Sequence, residues 1–261
     1  MNTVVIYPGR FHPFHRGHKA SYDELVKQFG EGNVYVVSSD LTAPLTSPFT
    51  FADKRQMMAK LGIPSDHIVQ VKNPYQAHEI TKSIPDPENT ILIFAVSAKD
   101  MAGDSARFKF GTKKDGSPSY MQPMPANTKK LQPMTKHAYV MVTPTVNFQV
   151  QGADANSASE IRKRYVAGND ADKDQIIMDL YGETYPEIRD IFDRRLGQTE
   201  HTQQLVKEAR GQLTQLNESA RTKLNQLINS IKSKEAQANE IIQLDEFIVP
   251  DYIEEKWSEK Y

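Results

Sequence analysis

The chain has no cysteine, which excludes disulfides and thiolate metal sites and suits a reducing compartment. It has no dominant charge either: 32 Lys and Arg against 33 Asp and Glu leave a net charge of −1. Any basic function must therefore be local rather than a property of the whole surface. No apolar run approaches the ~20 residues that cross a bilayer. The apolar run at the N-terminus is shorter than a signal peptide and passes at once into charged residues. Together these absences lead us to expect a soluble, cytoplasmic protein with no membrane partner and, from composition, no case for nucleic acid. At 261 residues there is room for one α/β domain with a sizeable core and an appendage.

What is present is concentrated first at residues 9–18, Gly-Arg-Phe-His-Pro-Phe-His-Arg-Gly-His. Before this decad, Thr3-Val4-Val5-Ile6-Tyr7 is β-branched and unbroken, as a central strand buried on both faces of a parallel sheet should be. After it, Ala20, Tyr22, Leu25, Val26 and Phe29 recur at helical spacing until Gly30 and Gly32 end the run. The decad is thus a strand-to-helix loop, where open α/β sheets bind anionic ligands. Pro8 and Pro13 stiffen it, and Gly9 and Gly17 permit conformations or close approaches that a Cβ would block. His15 and His18, three apart, fall on one side of a first helical turn. Imidazoles donate to phosphate oxygens, and Arg10 and Arg16 add charge; ordinary surface histidines are the alternative.

The decad resembles the signature of the nucleotidyltransferase superfamily built on an H-x-G-H motif, and its G-R-F-x-P-F-H-x-G-H form is most similar to that of nicotinamide mononucleotide adenylyltransferases. His12 stands where those enzymes commonly carry glutamine and Arg16 where lysine is common, departures that bear on substrate more than on chemistry. A second stretch, Ser157-Ala158-Ser159-Glu160-Ile161-Arg162, reads by itself as a hydroxyl-capped helix with a basic face. It resembles the [ST]-[GS]-[ST]-x-[IL]-R motif that closes the triphosphate site in the same superfamily. Thr46 to Arg55, with Thr50 as N-cap and Asp53 three residues on, resembles the N-P-F-[ST]-x-x-x-[KR]-R helix start that follows the second strand there.

The resemblance covers residues 1 to about 168 and implies transfer of a nucleoside monophosphate from a triphosphate to a phosphorylated acceptor, with release of pyrophosphate. ATP and nicotinamide mononucleotide are the leading pair. CTP with another phosphorylated acceptor, as in cytidylyltransferases, is the runner-up. The implied catalytic residues are His15, His18 and Arg162. Gly9, Arg10, Phe11, Arg16, Gly17, Asp100, Ser157 and Ser159 are implied at the nucleotide, with Mg²⁺ bound through the triphosphate and no protein metal site.

Between the motifs, Val34–Val37, His67–Val71, Thr90–Ser97, Ala138–Val142 and Val146–Val150 read as strands, and Tyr75–Ile84 as a short helix. From Met101 to Pro133 the pattern dissolves into glycines and prolines, with Arg107, Lys109, Lys113, Lys114, Lys129 and Lys130 among Phe108, Phe110 and Tyr120. A basic, aromatic-bearing loop either closes over a phosphorylated substrate as a lid or is simply solvated. The same composition suits single-stranded nucleic acid, although the neutral remainder of the chain argues against it.

Helices are expected over Asp172–Tyr181 and Pro186–Leu196. From Gln198 onward Leu205, Ala209, Leu213, Leu216, Ala220, Leu224, Leu227 and Ile231 recur at spacings 4, 4, 3, 4, 4, 3, 4, an eleven-residue repeat of about 3.67 per turn. So narrow a stripe does not stabilise a lone helix. It packs on the protein's own body or, the preferred reading, on a copy or partner through residues 198–243. The end, Asp245–Tyr261, is acidic and holds the only tryptophan, Trp257. The basic loop, appended helix and acidic tail resemble phage-encoded members of the superfamily, for which virion association and a catalytically silent assembly role are the alternatives. The expected architecture is a Rossmann-like three-layer α/β/α domain with a central parallel sheet over 1–196, and a long helical extension over 197–261.

Overall fold

Two runs rich in apolar and β-branched residues form the middle of the sheet in the computed structural model, which describes residues 1–44, 46–103, 106–144, 146, 149–154, 157–213 and 222–232. Strand β1 (Asn2–Pro8) and strand β4 (Thr90–Val96) pair in parallel through Asn2↔Thr90 to Ile6↔Phe94. Successive side chains of a strand point to opposite faces, and here both faces are covered. Leu92, Phe94 and Val96 enter a core cluster with Ile6, Phe108 and Val140, while Val5, Ile93 and Ala95 between them are also buried.

Helix α1 (Arg16–Phe29) follows β1 and leads to β2 (Val34–Ser38), parallel to β1. It buries Gly17, Ser21, Tyr22 and Leu25 along one stripe and stops where Gly30, at φ +87°, turns its N–H back to the Val26 carbonyl at 2.7 Å. Helix α2 (Phe51–Lys60) leads to strand β3 (Ile68–Gln70), which joins β2 at one edge. Beyond Tyr75 the expected short helix narrows to α3 (His78–Thr81), because Ala77 takes a left-handed backbone, φ +48°. On the other side of β4 lie β6 (Ala138–Val142) and then β5 (Met121–Pro123). The order is β3-β2-β1-β4-β6-β5, all parallel. Strand order reverses between β1 and β4, which makes the crevice outside their carboxyl ends the topological switch point of a Rossmann-like α/β sheet.

Strand β5 lies inside the stretch where the sequence pattern dissolves. Three residues ending in Pro123 are too short for a periodicity signal, and proline is tolerated on an edge. Around it Phe108, Tyr120, Leu131 and Met134 are buried, and the Tyr120 hydroxyl donates to the Met134 carbonyl at 2.6 Å. The Met101–Pro133 stretch is thus neither a wholly solvated loop nor a free lid. Its aromatics belong to the core, apart from Phe110, and Lys109, Lys113, Lys114, Lys129 and Lys130 face water.

The described residues divide into two compact units, 1–40 with 57–146 and 41–56 with 149–232. The sheet belongs to the first. The second contains helices α4 (Ala158–Ala167), α5 (Asp170–Tyr181) and α6 (Pro186–Leu213), and a hairpin of β7 (Gln149–Val150) and β8 (Ala153–Asp154). Of the expected strand at 146–150, β7 is seen and residues 147 and 148 lie outside the described residues; the turn after it has positive φ at both Gln151 and Gly152, the geometry of a tight two-residue hairpin. Phe192 is the hub of this unit, with the rings of Phe49, Tyr165 and Tyr181 at 5.0, 5.0 and 6.4 Å. Asp53, 3% exposed, accepts from the Thr50 N–H and hydroxyl at 2.8 Å each and from Arg195 Nε at 2.7 Å. Burial pushes its carboxyl up, but the bonds from Arg195 and Thr50 prevail and hold it below the usual carboxylate range. Helix α6 passes residue 197 without a break, and 222–232 is helical again. Leu205, Leu227 and Ile231 are exposed there. Leu216, Ala220, residues 233–243 and the acidic end lie outside the described residues.

Candidate active site at the carboxyl edge of the sheet

The loop that leaves β1 is held by its own aromatic rings. The Gly9 N–H donates to the Val37 carbonyl at 3.1 Å, which keeps the chain on the sheet edge for one residue beyond the strand. Phe11 then adopts a left-handed backbone, φ +49°, a conformation that costs a bulky residue roughly 1–3 kcal/mol. Ring packing offsets that cost: Phe11 meets Tyr7 at 5.7 Å, Phe14 at 5.1 Å and His18 edge-on at 5.0 Å. The same ring lies over Gly9, where an added Cβ would come within 2.3 Å of it. Gly9 is therefore needed for Phe11, a reason internal to the loop. His12 and Phe14 are buried on either side of the cis His12–Pro13 bond, whereas Arg10 and Arg16 are exposed.

The two imidazoles form the cap of α1. His15 is the N-cap residue and accepts from the Gly17 N–H at Nδ1 (3.1 Å); His18, at the third helical position, accepts from the His15 N–H at Nδ1 (3.2 Å). This reciprocal arrangement is the capping box that Ser/Thr and Glu usually provide. Its chemistry differs, because an imidazole that accepts at Nδ1 must carry its proton at Nε2. Both rings are therefore neutral donors through Nε2–H. Burial, then the neighbouring His18 and Arg16, holds His15 well below its ordinary value, and burial pushes His18 down to about 3. The positive end of the helix acts in the same direction. Their ring centroids are 3.8 Å apart, and the Phe14 ring stacks on His18 at 5.3 Å. Spacing in the sequence placed the rings together; the structure adds that a backbone N–H at each Nδ1 fixes the tautomer of each ring.

Across the switch point, the loop after β4 is built on Asp100. Its Oδ2 accepts from the Ser97 N–H at 3.2 Å and the Ser97 hydroxyl at 2.6 Å, and its Oδ1 from the Tyr75 hydroxyl at 2.7 Å. Both carboxylate oxygens of Asp100 are thus engaged by the protein. The Arg107 N–H donates to the Asp100 carbonyl at 2.7 Å, and the Arg107 guanidinium lies over the Tyr75 ring at 5.0 Å. Burial and the Asp100 carboxylate push the Tyr75 phenol up, while the charges of Arg107 and Arg10 oppose the rise. In the sequence Tyr75 stands only as the start of an expected helix and Arg107 only as one cation of the basic stretch, and neither is singled out as a site residue. Tyr75 sits in a turn after β3 and Arg107 in the stretch without periodicity, so neither stands in a local motif.

The second motif lies in the other unit. Ser157 caps α4, accepting from the Glu160 N–H at 3.2 Å, and its hydroxyl is 3.0 Å from that of Ser159. Both serines are exposed, and Arg162, one turn in, is 9% exposed. The neighbouring basic residue Arg164 is tied down, donating to the Val150 carbonyl at 2.8 Å and pairing with Glu160. The structure thus groups His15 and His18 with Gly9, Phe11 and Gly17, and Ser157 with Ser159 and Arg162. Among the described residues no group of three His, Asp or Glu side chains is disposed to hold a metal ion, and no helix is long and apolar enough to cross a membrane.

Over 55 residues the chain is 36% identical to the nicotinamide-nucleotide adenylyltransferase of Methanocorpusculum labreanum, a match covering 21% of this chain and 33% of that protein. Two structures of a bifunctional NMN adenylyltransferase/ADP ribose pyrophosphatase from Francisella tularensis are also similar. The complex with AMP and a manganese ion has a TM-score of 0.46 at 14% identity, covering 83% of this chain and 57% of that one. The other has a TM-score of 0.44 at 15% identity, covering 83% and 58%. The chain thus spans a third of the curated relative and just over half of each solved one. The model of the cytidylyltransferase-like family matches residues 6–164, from β1 through the imidazole cap to α4, and the chain belongs to that family.

Proposed function

We propose that this protein is a nucleotidyltransferase that moves a nucleoside monophosphate from ATP to a phosphorylated acceptor, with nicotinamide mononucleotide as the leading acceptor. An acceptor phosphate oxygen bonds to the α-phosphorus, the bond from that phosphorus to the bridging oxygen breaks, and pyrophosphate leaves with the electron pair. Such a displacement needs in-line placement and hydrogen-bond donors where negative charge grows. The observation that carries the reading is the reciprocal imidazole cap: two neutral Nε2–H donors preset at a helix N-terminus. We assign His15 and His18 to the bridging and α-phosphate oxygens, and Ser157, Ser159 and Arg162 to the β and γ phosphates. Arg10 and Arg16 support the bound charge, and the backbone at Gly17 lies against the nucleotide. Mg²⁺, held through the triphosphate itself, supplies neutralising charge to the departing pyrophosphate when bound.

The family match makes CTP the second donor to test. Exposed Leu205, Leu227 and Ile231 favour an added docking role for the C-terminal helix, with a second copy as the occupant to test. A pyrophosphate-release assay of the purified chain, crossing ATP and CTP with a panel of phosphorylated acceptors, decides between these readings. Turnover with ATP and nicotinamide mononucleotide, abolished in His18→Ala, supports the leading one. Turnover with CTP alone replaces it, and a blank panel overturns it.

A further inference from the structure

The loop after β4 carries a cation that the roles above do not use. Arg107 is half-buried and held from two directions: its backbone N–H is bonded to the Asp100 carbonyl, and its guanidinium lies on the Tyr75 ring. Asp100 in turn holds the Tyr75 hydroxyl and closes the Ser97 turn at the end of β4. An exposed arginine ordinarily samples many rotamers; one laid on a buried aromatic ring and anchored at its backbone is preorganised, so less entropy is lost when it binds an anion. Asp100 and Tyr75 direct their polar atoms at each other rather than outward, which identifies them as supports.

The position of this assembly decides its substrate. In-line displacement brings the nucleophile in on the side of the α-phosphorus opposite the departing pyrophosphate. The cations that grip the β and γ phosphates therefore cannot also hold the acceptor. With the β1 loop assigned to the α-phosphate, an acceptor's anion needs a seat on the other wall of the switch-point crevice, and the loop after β4 is that wall. Arg107 is the guanidinium that the packing fixes on this wall.

We propose that Arg107 seats the phosphate of the acceptor substrate, and that Asp100 and Tyr75 are positioning residues that hold Arg107 in place; this rests on the nucleotidyltransferase reading above. The ligand class is a phosphomonoester, gripped by a planar guanidinium in the two-pronged manner a lysine does not reproduce.

The test is steady-state kinetics with both substrates varied, on the full chain and on Arg107→Ala, Arg107→Lys and Tyr75→Phe. It is accompanied by calorimetric titration of nicotinamide mononucleotide and, separately, ATP. Arg107→Ala is expected to raise the acceptor KM about tenfold or more while the KM for ATP stays put. Lysine restores only part of the loss. Tyr75→Phe, which keeps the ring but frees Asp100, gives a smaller rise in acceptor KM and leaves ATP affinity alone. An unchanged acceptor KM in a folded Arg107→Ala protein overturns the proposal, as does an equal loss for both substrates. A wild-type chain without turnover on any pair overturns the nucleotidyltransferase reading instead. In that event titration still decides the seat: nicotinamide mononucleotide binding that vanishes in Arg107→Ala supports it, and binding that persists refutes it.

Discussion

His15 has two separable tasks, and two substitutions pull them apart. As N-cap it accepts the Gly17 N–H at 3.1 Å through Nδ1, and through Nε2 it presents a donor. Asparagine caps well and its side-chain oxygen takes over the first task, but it cannot place a donor where Nε2–H stands. Alanine does neither. Losing a cap costs about 1 kcal/mol, or roughly 2–4 °C of melting temperature in a chain of this size. Losing one donor to a developing oxyanion costs about 10²–10³ in kcat. His15→Asn is therefore expected to melt with the wild type and turn over about a hundred-fold or more slowly. His15→Ala is expected to match it in turnover and melt a few degrees lower. Pyrophosphate release and thermal denaturation in one buffer give both numbers. Wild-type turnover in His15→Asn would refute the donor role, and equal melting of the two variants would refute the cap.

Both imidazoles are held below their ordinary 6.5, His18 at about 3. Below pH 6.5 the unfolded chain takes up protons that these folded rings refuse, so their stabilisation is complete above that pH and declines as the pH falls toward 3. A melting-temperature series from pH 8 to 4 should slope downward, and His15→Asn with His18→Asn should flatten it; an unchanged slope counts against neutral caps. Gly9→Ala drives a methyl into the Phe11 ring and, by shifting the ring that rests on His18, is expected to cut kcat at least tenfold without preventing folding. Wild-type kinetics in that variant would show that the Phe11 contact does not position the imidazole. Asp53→Asn removes the charge that Arg195 and Arg194 share and is expected to cost about 2 kcal/mol, roughly 4–8 °C, with KM values unchanged. For the C-terminal stripe, Leu227→Asp is expected to lower the mass measured by light scattering if a second copy covers it, and an unchanged mass speaks against that occupant.

The chain itself, read residue by residue, determined the local elements and the placement of His15 beside His18. Two unbroken apolar runs rich in β-branched residues admit little but a central parallel sheet, and histidines three apart at a helix start share a side whatever lies around them. Local hydrogen bonding is enough to write such features into a short stretch, as with Thr50 and Asp53 or Ser157 and Glu160. Tertiary structure decided the rest. That Asp100 faces Tyr75, that Arg107 lies on that ring, and that β5 emerges from a stretch without periodicity all depend on segments some 10–30 residues apart meeting at one sheet edge. Phe108 and Tyr120 became core because β4 and β6 left apolar surface to cover, a demand set by the sheet and absent from their neighbours in sequence. The neutrality of both imidazoles is likewise a product of packing: only when Nδ1 of each is occupied by a backbone N–H does the proton have a single place to sit.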